Sequence, residues 1–364
     1  MNQTSIPCKI YRGGTSRGIF FKETDLSFYT TEQIEEIVKF TIDAQNPSQV
    51  DGLGGASSHT SKVIVVHDDV PENHHISYTF YQVGIGTNIV NTNGTCGNLM
   101  ASVGLYAAEE GYVQKETKTT VKAFNKNINK TIEIEIDYSD VDYKISGIHF
   151  PTEKLTLSIM DPGGSVTGKT LPLGNTTSIE VNGETVEISF IDIINPFVFL
   201  EANTSTNSLE YLDTIRTMLS VEAGIASSIS EADSILSIPK IAIVENPKDY
   251  ISSKGTKISA NEYDIYSTMV SMNNFHKSYA GSGLYNLAAA ILLEGTIPNQ
   301  IVSPNLDKEQ HTIKIGHPAG ISSVNVQLNT QTGEIQSVGL DRNARKIMDG
   351  EIFIPNSILE DLSK

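Results

Sequence analysis

Two glycine-flanked helix starts constrain this chain more than any other feature. Gly94-Thr95-Cys96-Gly97-Asn98-Leu99 opens an apolar helical pattern carried by Leu99, Met100, Val103, Leu105, Ala107 and Ala108, with Gly111 as its stop. Ser278-Tyr279-Ala280-Gly281-Ser282-Gly283-Leu284 opens a second apolar run, Leu287 to Leu293, ending near Gly295. Cys96 and Ser282 are each followed by glycine, so Ser282 is read as the counterpart of Cys96. Similarity at this long spacing predicts a duplicated unit. Two such units would turn two helix N-termini towards one cleft, which suits a substrate with two or more carboxylates.

The first helix start also carries chemistry. A thiol at Cys96 sits beside backbone N–H groups without helical partners and at the positive end of the helix dipole. Both favour the thiolate, the form that takes up a proton or attacks an electrophile. The same N–H groups hold a carboxylate. The competing reading is a small buried core cysteine.

Composition narrows the class. At 364 residues the chain suits two domains better than one core. No stretch approaches the ~20 apolar residues that span a membrane; Ile188 to Leu200 is interrupted by Asp192, Asn195 and Pro196. No basic segment followed by an apolar core opens the sequence. Two cysteines, Cys8 and Cys96, make no disulfide framework, and a reduced cytoplasmic setting is expected. A net charge of −17 argues against nucleic-acid or anionic-membrane partners and leaves a homodimer open.

Along the chain, Lys9 to Lys22 reads as strand, turn and strand, and Thr31 to Ala44 as a capped helix. Asp51 to Ser61 is a glycine- and serine-rich loop before the strand Lys62 to Val66. Val113 to Phe150 alternates with period two, and Leu171 to Val186, with Gly174 and Asn182-Gly183, predicts turns and a nearby boundary. The expected domains are 1–186, carrying Lys62 and Cys96, and 187–364, carrying Asn195 and Ser282, with the last strand (about 350–364) free to return to the first.

Four further motifs carry polar groups. Arg12 to Gly18 combines glycines, two hydroxyls and two guanidinium groups, and arginine pairs bidentately with carboxylate. Gly54 to Lys62 delivers a lysine to the mouth of a strand, where it binds a carboxylate or carries a proton. Asn195-Pro196 interrupts an apolar strand, which frees the Asn195 amide for a ligand or for the broken ladder. Lys277 precedes the second helix start and His317-Pro318 joins two strands. Each also has an ordinary reading as a solvated or structural residue. Zinc spacing, a nucleotide loop and a dinucleotide fingerprint are all missing.

Taken together, Arg12 to Gly18 with Phe20-Phe21, Gly54 to Lys62, Asn93 to Asn98, Asn195 to Val198, Tyr279 to Gly283, Gly316 to Pro318 and Arg342 to Pro355 resemble, in order, the PrpF-like isomerases. These include 2-methylaconitate cis–trans isomerase and 4-oxalomesaconate tautomerase. The resemblance runs over nearly the whole chain. It implies an α/β, diaminopimelate-epimerase-like fold: two pseudo-symmetric domains, each a sheet wrapped round a central helix, with the active site between them. In that family a lysine and a cysteine are the suspected catalytic pair, which implicates Lys62 and Cys96. Two-base epimerases of the fold carry thiols at both helix starts. Ser282 at the second start argues against that symmetric mechanism.

The expected activity is cofactor-independent, metal-free isomerisation of a small unsaturated di- or tricarboxylate. Lys62 and Cys96 exchange an allylic proton through a dienolate, without assignment of which is base. Gly97, Asn98, Ser282, Gly283 and Leu284 hold carboxylates at the helix ends, with Ser16, Arg17, Asn195, Lys277 and His317 as further substrate contacts. The alternatives are an amino-acid racemase or epimerase of the same fold, and a non-catalytic polycarboxylate-binding accessory protein.

Overall fold

The computed structural model describes residues 2–92, 94–145, 147–203, 205, 208–271 and 273–360. It is mixed α/β and divides into two units. Unit 1 takes in residues 1–159 and 341–364, and unit 2 takes in 160–340.

Unit 1 starts with strands β1 (Gln3–Gly13) and β2 (Ser16–Lys22), then helices α1 (Glu23–Leu26) and α2 (Thr31–Ile42). Strands β3 (Lys62–His67), β4 (Ile76–Val83) and β5 (Val90–Asn91) lead to helix α3 (Gly97–Glu109). Strands β6 (Lys118–Asn125), β7 (Lys130–Asp137) and β8 (Lys154–Met160) follow. Every residue of α3 from Leu99 to Ala108 is buried, as a helix apolar on all sides must be when a sheet wraps it. A second core lies on the sheet's other face, where Ile37, Val38 and Ile42 of α2 meet Ile19, Phe21, Val63 and Val65.

Unit 2 opens with β9 (Thr177–Val181), β10 (Glu184–Ile193) and β11 (Asn195–Glu201), then α4 (Leu209–Glu222) and α5 (Ile229–Ser234). Next come β12 (Lys240–Glu245), the small hairpin β13 (Tyr250–Ile251) and β14 (Lys257–Ile258), β15 (Ile265–Ser271) and β16 (Asn274–Phe275). Helix α6 (Gly281–Leu292) is buried from Gly283 onward and is followed by α7 (Ile297–Val302). Strands β17 (Gln310–His317), β18 (Gly320–Leu328) and β19 (Ile335–Arg342) complete it. The chain then re-enters unit 1 as β20 (Ala344–Pro355) and α8 (Asn356–Glu360).

The pairing pattern repeats. β2 lies parallel to β3 as β11 does to β12. β4 runs antiparallel to β3 and parallel to β6, as β15 does to β12 and β17. β20 closes on β1 as β9 closes on β10, antiparallel in each case. The central helix follows β5 in unit 1, as α3, and β16 in unit 2, as α6, with short α7 after it. Each unit is therefore one sheet round one central helix, as the two apolar helix starts predict.

The boundary differs from the expected 186/187. Residues 177–193 form the β9–β10 hairpin inside unit 2, turning at Asn182 (φ 53°) and Gly183 (φ 83°). The Asn-Gly turn signal marks a hairpin, and the crossing lies at 159/160. The return to unit 1 begins at Asp341. Among the described residues no helix is long and apolar enough to cross a membrane, which leaves membrane-spanning strands unaddressed.

Candidate active site

The start of α3 is fixed by backbone packing. Gly13 and Gly14 end the β1–β2 hairpin against it: a Cβ on Gly13 would stand 2.3 Å from the Asn98 carbonyl oxygen. Gly14 adopts φ 53°, which glycine takes without strain, and a Cβ there would stand 2.3 Å from Asn98 Oδ1. Cys96 is the N-cap, extended at φ −124°, ψ 102°, and its carbonyl accepts the first helical bond from Met100 N–H at 3.1 Å. Its half-buried thiol donates to Ser16 Oγ at 3.8 Å. Asn98 is clamped on both sides, donating to Thr15 Oγ1 at 3.1 Å and accepting from Arg342 Nε at 2.9 Å.

No side chain caps α3 or α6, whereas α2, α4, α5 and α7 are capped by Thr30, Ser208, Ser228 and Thr296. The two central helices thus keep first-turn N–H groups available to an anion.

Lys62 opens β3 and is buried, 7% exposed. Its Nζ donates to Gln82 Oε1 across the β3–β4 pair and lies 5.0 Å from the Phe80 ring centroid. Among the described residues it makes no ion pair with a carboxylate. The adjacent strand β2 links it to the thiol: Ser16 begins β2 at Cys96, and two residues on, Gly18 leaves room beside the Lys62 carbonyl and Leu99. Lys62 and Cys96 therefore belong to the same end of unit 1.

Arg17 serves the loop before Lys62 in this structure. Its Nη2 donates to the carbonyls of Leu53 and Gly54 at 2.9 and 3.2 Å, and its buried Nε has no hydrogen-bond partner among the described residues.

In unit 2 the structure corrects the alignment of the two helix starts. Leu284 N–H donates to the Ala280 carbonyl at 3.0 Å, the same first bond that Met100 makes to Cys96. Ala280, not Ser282, is the counterpart of Cys96, and Ser282 is a half-buried residue of the first turn. Matching by the following glycine shifted the frame by two. The inference against a second thiol base holds more firmly with alanine there. Gly283 is needed for packing, since a Cβ would meet the Phe197 and Tyr279 rings at 2.8 Å. Leu284 follows as a buried side chain.

Asn195 follows a strained bend. Ile194 adopts φ 65°, costly for a β-branched residue, between the paired Ile193 and Asn195. Fully buried Asn286 of α6 holds this bend, its Nδ2 reaching the carbonyls of Ile191, Ile193 and Asn195 at 2.9, 3.2 and 2.7 Å. Asn195 and Pro196 thus open β11, the strand end expected at the proline. Lys277 is exposed. His317 is buried and its ring is committed: Nδ1 accepts from Ala319 N–H at 3.2 Å and Nε2 donates to Ser322 Oγ at 2.9 Å. Burial, then His276 and Lys254, pull its pKa down to about 4. It is a neutral support of the β17–β18 turn.

Gln82, Arg342 and Asn286 were not legible as site residues from sequence. Strand register alone places Gln82 opposite Lys62, and Arg342 meets Asn98 from far along the chain. Asn93 of the cysteine motif lies outside the described residues.

Each unit thus wraps a central helix whose start is uncapped, and unit 1 carries the buried Lys62 and the half-buried Cys96. A family model described as PrpF protein matches residues 3–355, and the chain belongs to that family. It is an isomerase. The 3-methylitaconate isomerase of Eubacterium barkeri is 32% identical, over 98% of this chain and 99% of its own. The 2-methyl-aconitate isomerase of Shewanella oneidensis is 29% identical, over 97% and 98%. The crystal structure of methylitaconate-delta-isomerase superposes with a TM-score of 0.89 at 31% identity, covering 99% of this chain and 98% of that one.

Proposed function

We propose that this isomerase moves an allylic proton in a small unsaturated di- or tricarboxylate of the methylitaconate and methylaconitate kind. The observation that carries the reading is the uncapped start of α3, with the Cys96 thiol at the cap and buried Lys62 at the same end of the unit.

A C–H next to a C=C conjugated with a carboxylate is weakly acidic. Its removal leaves a delocalised dienolate in which the former double bond has partial single-bond character. Rotation and return of the proton to the same carbon gives cis–trans isomerisation; return to the far carbon shifts the double bond. Lys62 and Cys96 are the proton-transfer pair. Positioned groups of this kind contribute roughly 10²–10⁴-fold each. The N–H groups of Gly97 and Asn98 hold a carboxylate and the developing charge. Ser16 orients the thiol. At the start of α6 the corresponding first-turn N–H groups, those of Gly281, Ser282 and Gly283, are a second carboxylate site, Leu284 N–H being taken by the Ala280 carbonyl, and Asn195 is a neutral contact. No step calls for a metal or organic cofactor. The names and full-length similarity of the relatives support the substrate class.

The test is proton NMR in D2O with methylitaconate, 2-methylaconitate and cis- and trans-aconitate. Deuterium entering an allylic carbon of one member, unaffected by EDTA, is the expected result. No exchange with any member, in protein whose Cys96 is reduced, would reject the reading.

A further inference from the structure

Gln82 occupies an unusual position. Its Nε2 faces three backbone carbonyls, those of Ser61 at 2.9 Å, Ser58 at 3.3 Å and Val83 at 3.4 Å. Carbonyls only accept, so the amide nitrogen must point at them and Oε1 must point at Lys62. The loop it grips is itself held. Gln49 Oε1 accepts from Gly55 N–H, Ala56 N–H and Ser61 Oγ at 2.9, 2.7 and 2.8 Å, and Arg17 N–H donates to the His59 carbonyl at 2.9 Å. The acceptor that Gln82 offers Lys62 is therefore pre-oriented.

The acceptor is also neutral. Buried lysines are ordinarily matched with a carboxylate. A carboxylate here would cancel the ammonium charge and repel an anionic substrate. A fixed amide oxygen locates Nζ, with the Phe80 ring beneath it, and leaves the positive charge for an incoming carboxylate or dienolate.

We propose that Gln82 is the positioning residue for Lys62, fixing the amine while sparing its charge. This rests on the reading of Lys62 as a proton-transfer group. The experiment is steady-state kinetics of Gln82→Met, Gln82→Glu, Lys62→Ala and the Lys62→Ala/Gln82→Met pair. Gln82→Met is expected to lower kcat at least tenfold with KM changed less than threefold. Gln82→Glu is expected to raise KM at least tenfold through charge. In the Lys62→Ala background, Gln82→Met is expected to cost less than a further twofold. If Gln82 only braces the loop, its loss in the double variant multiplies with that of Lys62→Ala, or the two single variants behave alike; either outcome overturns the proposal. Where Lys62→Ala has no measurable residue, the kcat and KM split of the single variants decides. A fully active Lys62→Ala enzyme instead removes the catalytic reading itself, and with it the proposal, on that measurement alone.

Discussion

At the residue scale, the two cysteines occupy opposite environments. Cys8 is 3% exposed, and burial together with Asp349 and Glu351 pushes its pKa up to about 11. Cys96 is half-buried at the open end of a helix. Limited iodoacetamide at pH 8 should place one adduct on Cys96, read by peptide mass, with activity lost in step. Equal labelling of Cys8, or full activity after Cys96 is blocked, would contradict the assignment. His317 gives a pH prediction. The folded pKa, about 4, lies below the unfolded value of ~6.5. Between them the unfolded chain binds a proton that the native ring refuses. Its contribution is full above ~6.5 and is lost as pH falls towards 4, by about 3 kcal/mol. Unfolding free energies of the wild type and His317→Asn should therefore differ in their acid limbs by about that amount, and parallel limbs would refute it.

At the element scale, the bend between β10 and β11 is held from α6. Asn286 Nδ2 donates among three carbonyls around strained Ile194, while its own Oδ1 has no hydrogen-bond partner among the described residues. Asn286→Leu keeps the volume and strands buried acceptors, so it should cost about 2–4 kcal/mol in denaturant unfolding. A loss under about 1 kcal/mol would show that the bend holds itself. Elements of this kind separate what sequence reveals from what it conceals. The apolar runs of α3 and α6 and the period-two strands are local patterns, so both helices and the duplication are legible. The helix frame is not, because shared glycines align residues while the first backbone bond defines the cap. That is why Ala280, not Ser282, is the counterpart of Cys96.

At the scale of the whole molecule, the repeated pairing pattern makes two similar units with different chemical endowments. Unit 1 holds the thiol, the buried lysine and the clamped Asn98. Unit 2 offers an alanine at the matching cap. The motifs that carry Lys62 and Cys96 are short and continuous, which is why both were visible in sequence. Gln82 and Arg342 are not, because their roles arise from strand register and from the chain's return to unit 1 after residue 340. The asymmetry of the units predicts a one-sided proton shift dependent on unit 1. The most direct test is the initial rate of deuterium entry into the allylic position of the accepted substrate, measured in D2O for wild type, Lys62→Ala and Cys96→Ala. Losses of roughly 10²–10⁴-fold in both variants, with unfolding midpoints unchanged, are expected. Exchange within tenfold of wild type in both variants would contradict the pairing of Lys62 and Cys96.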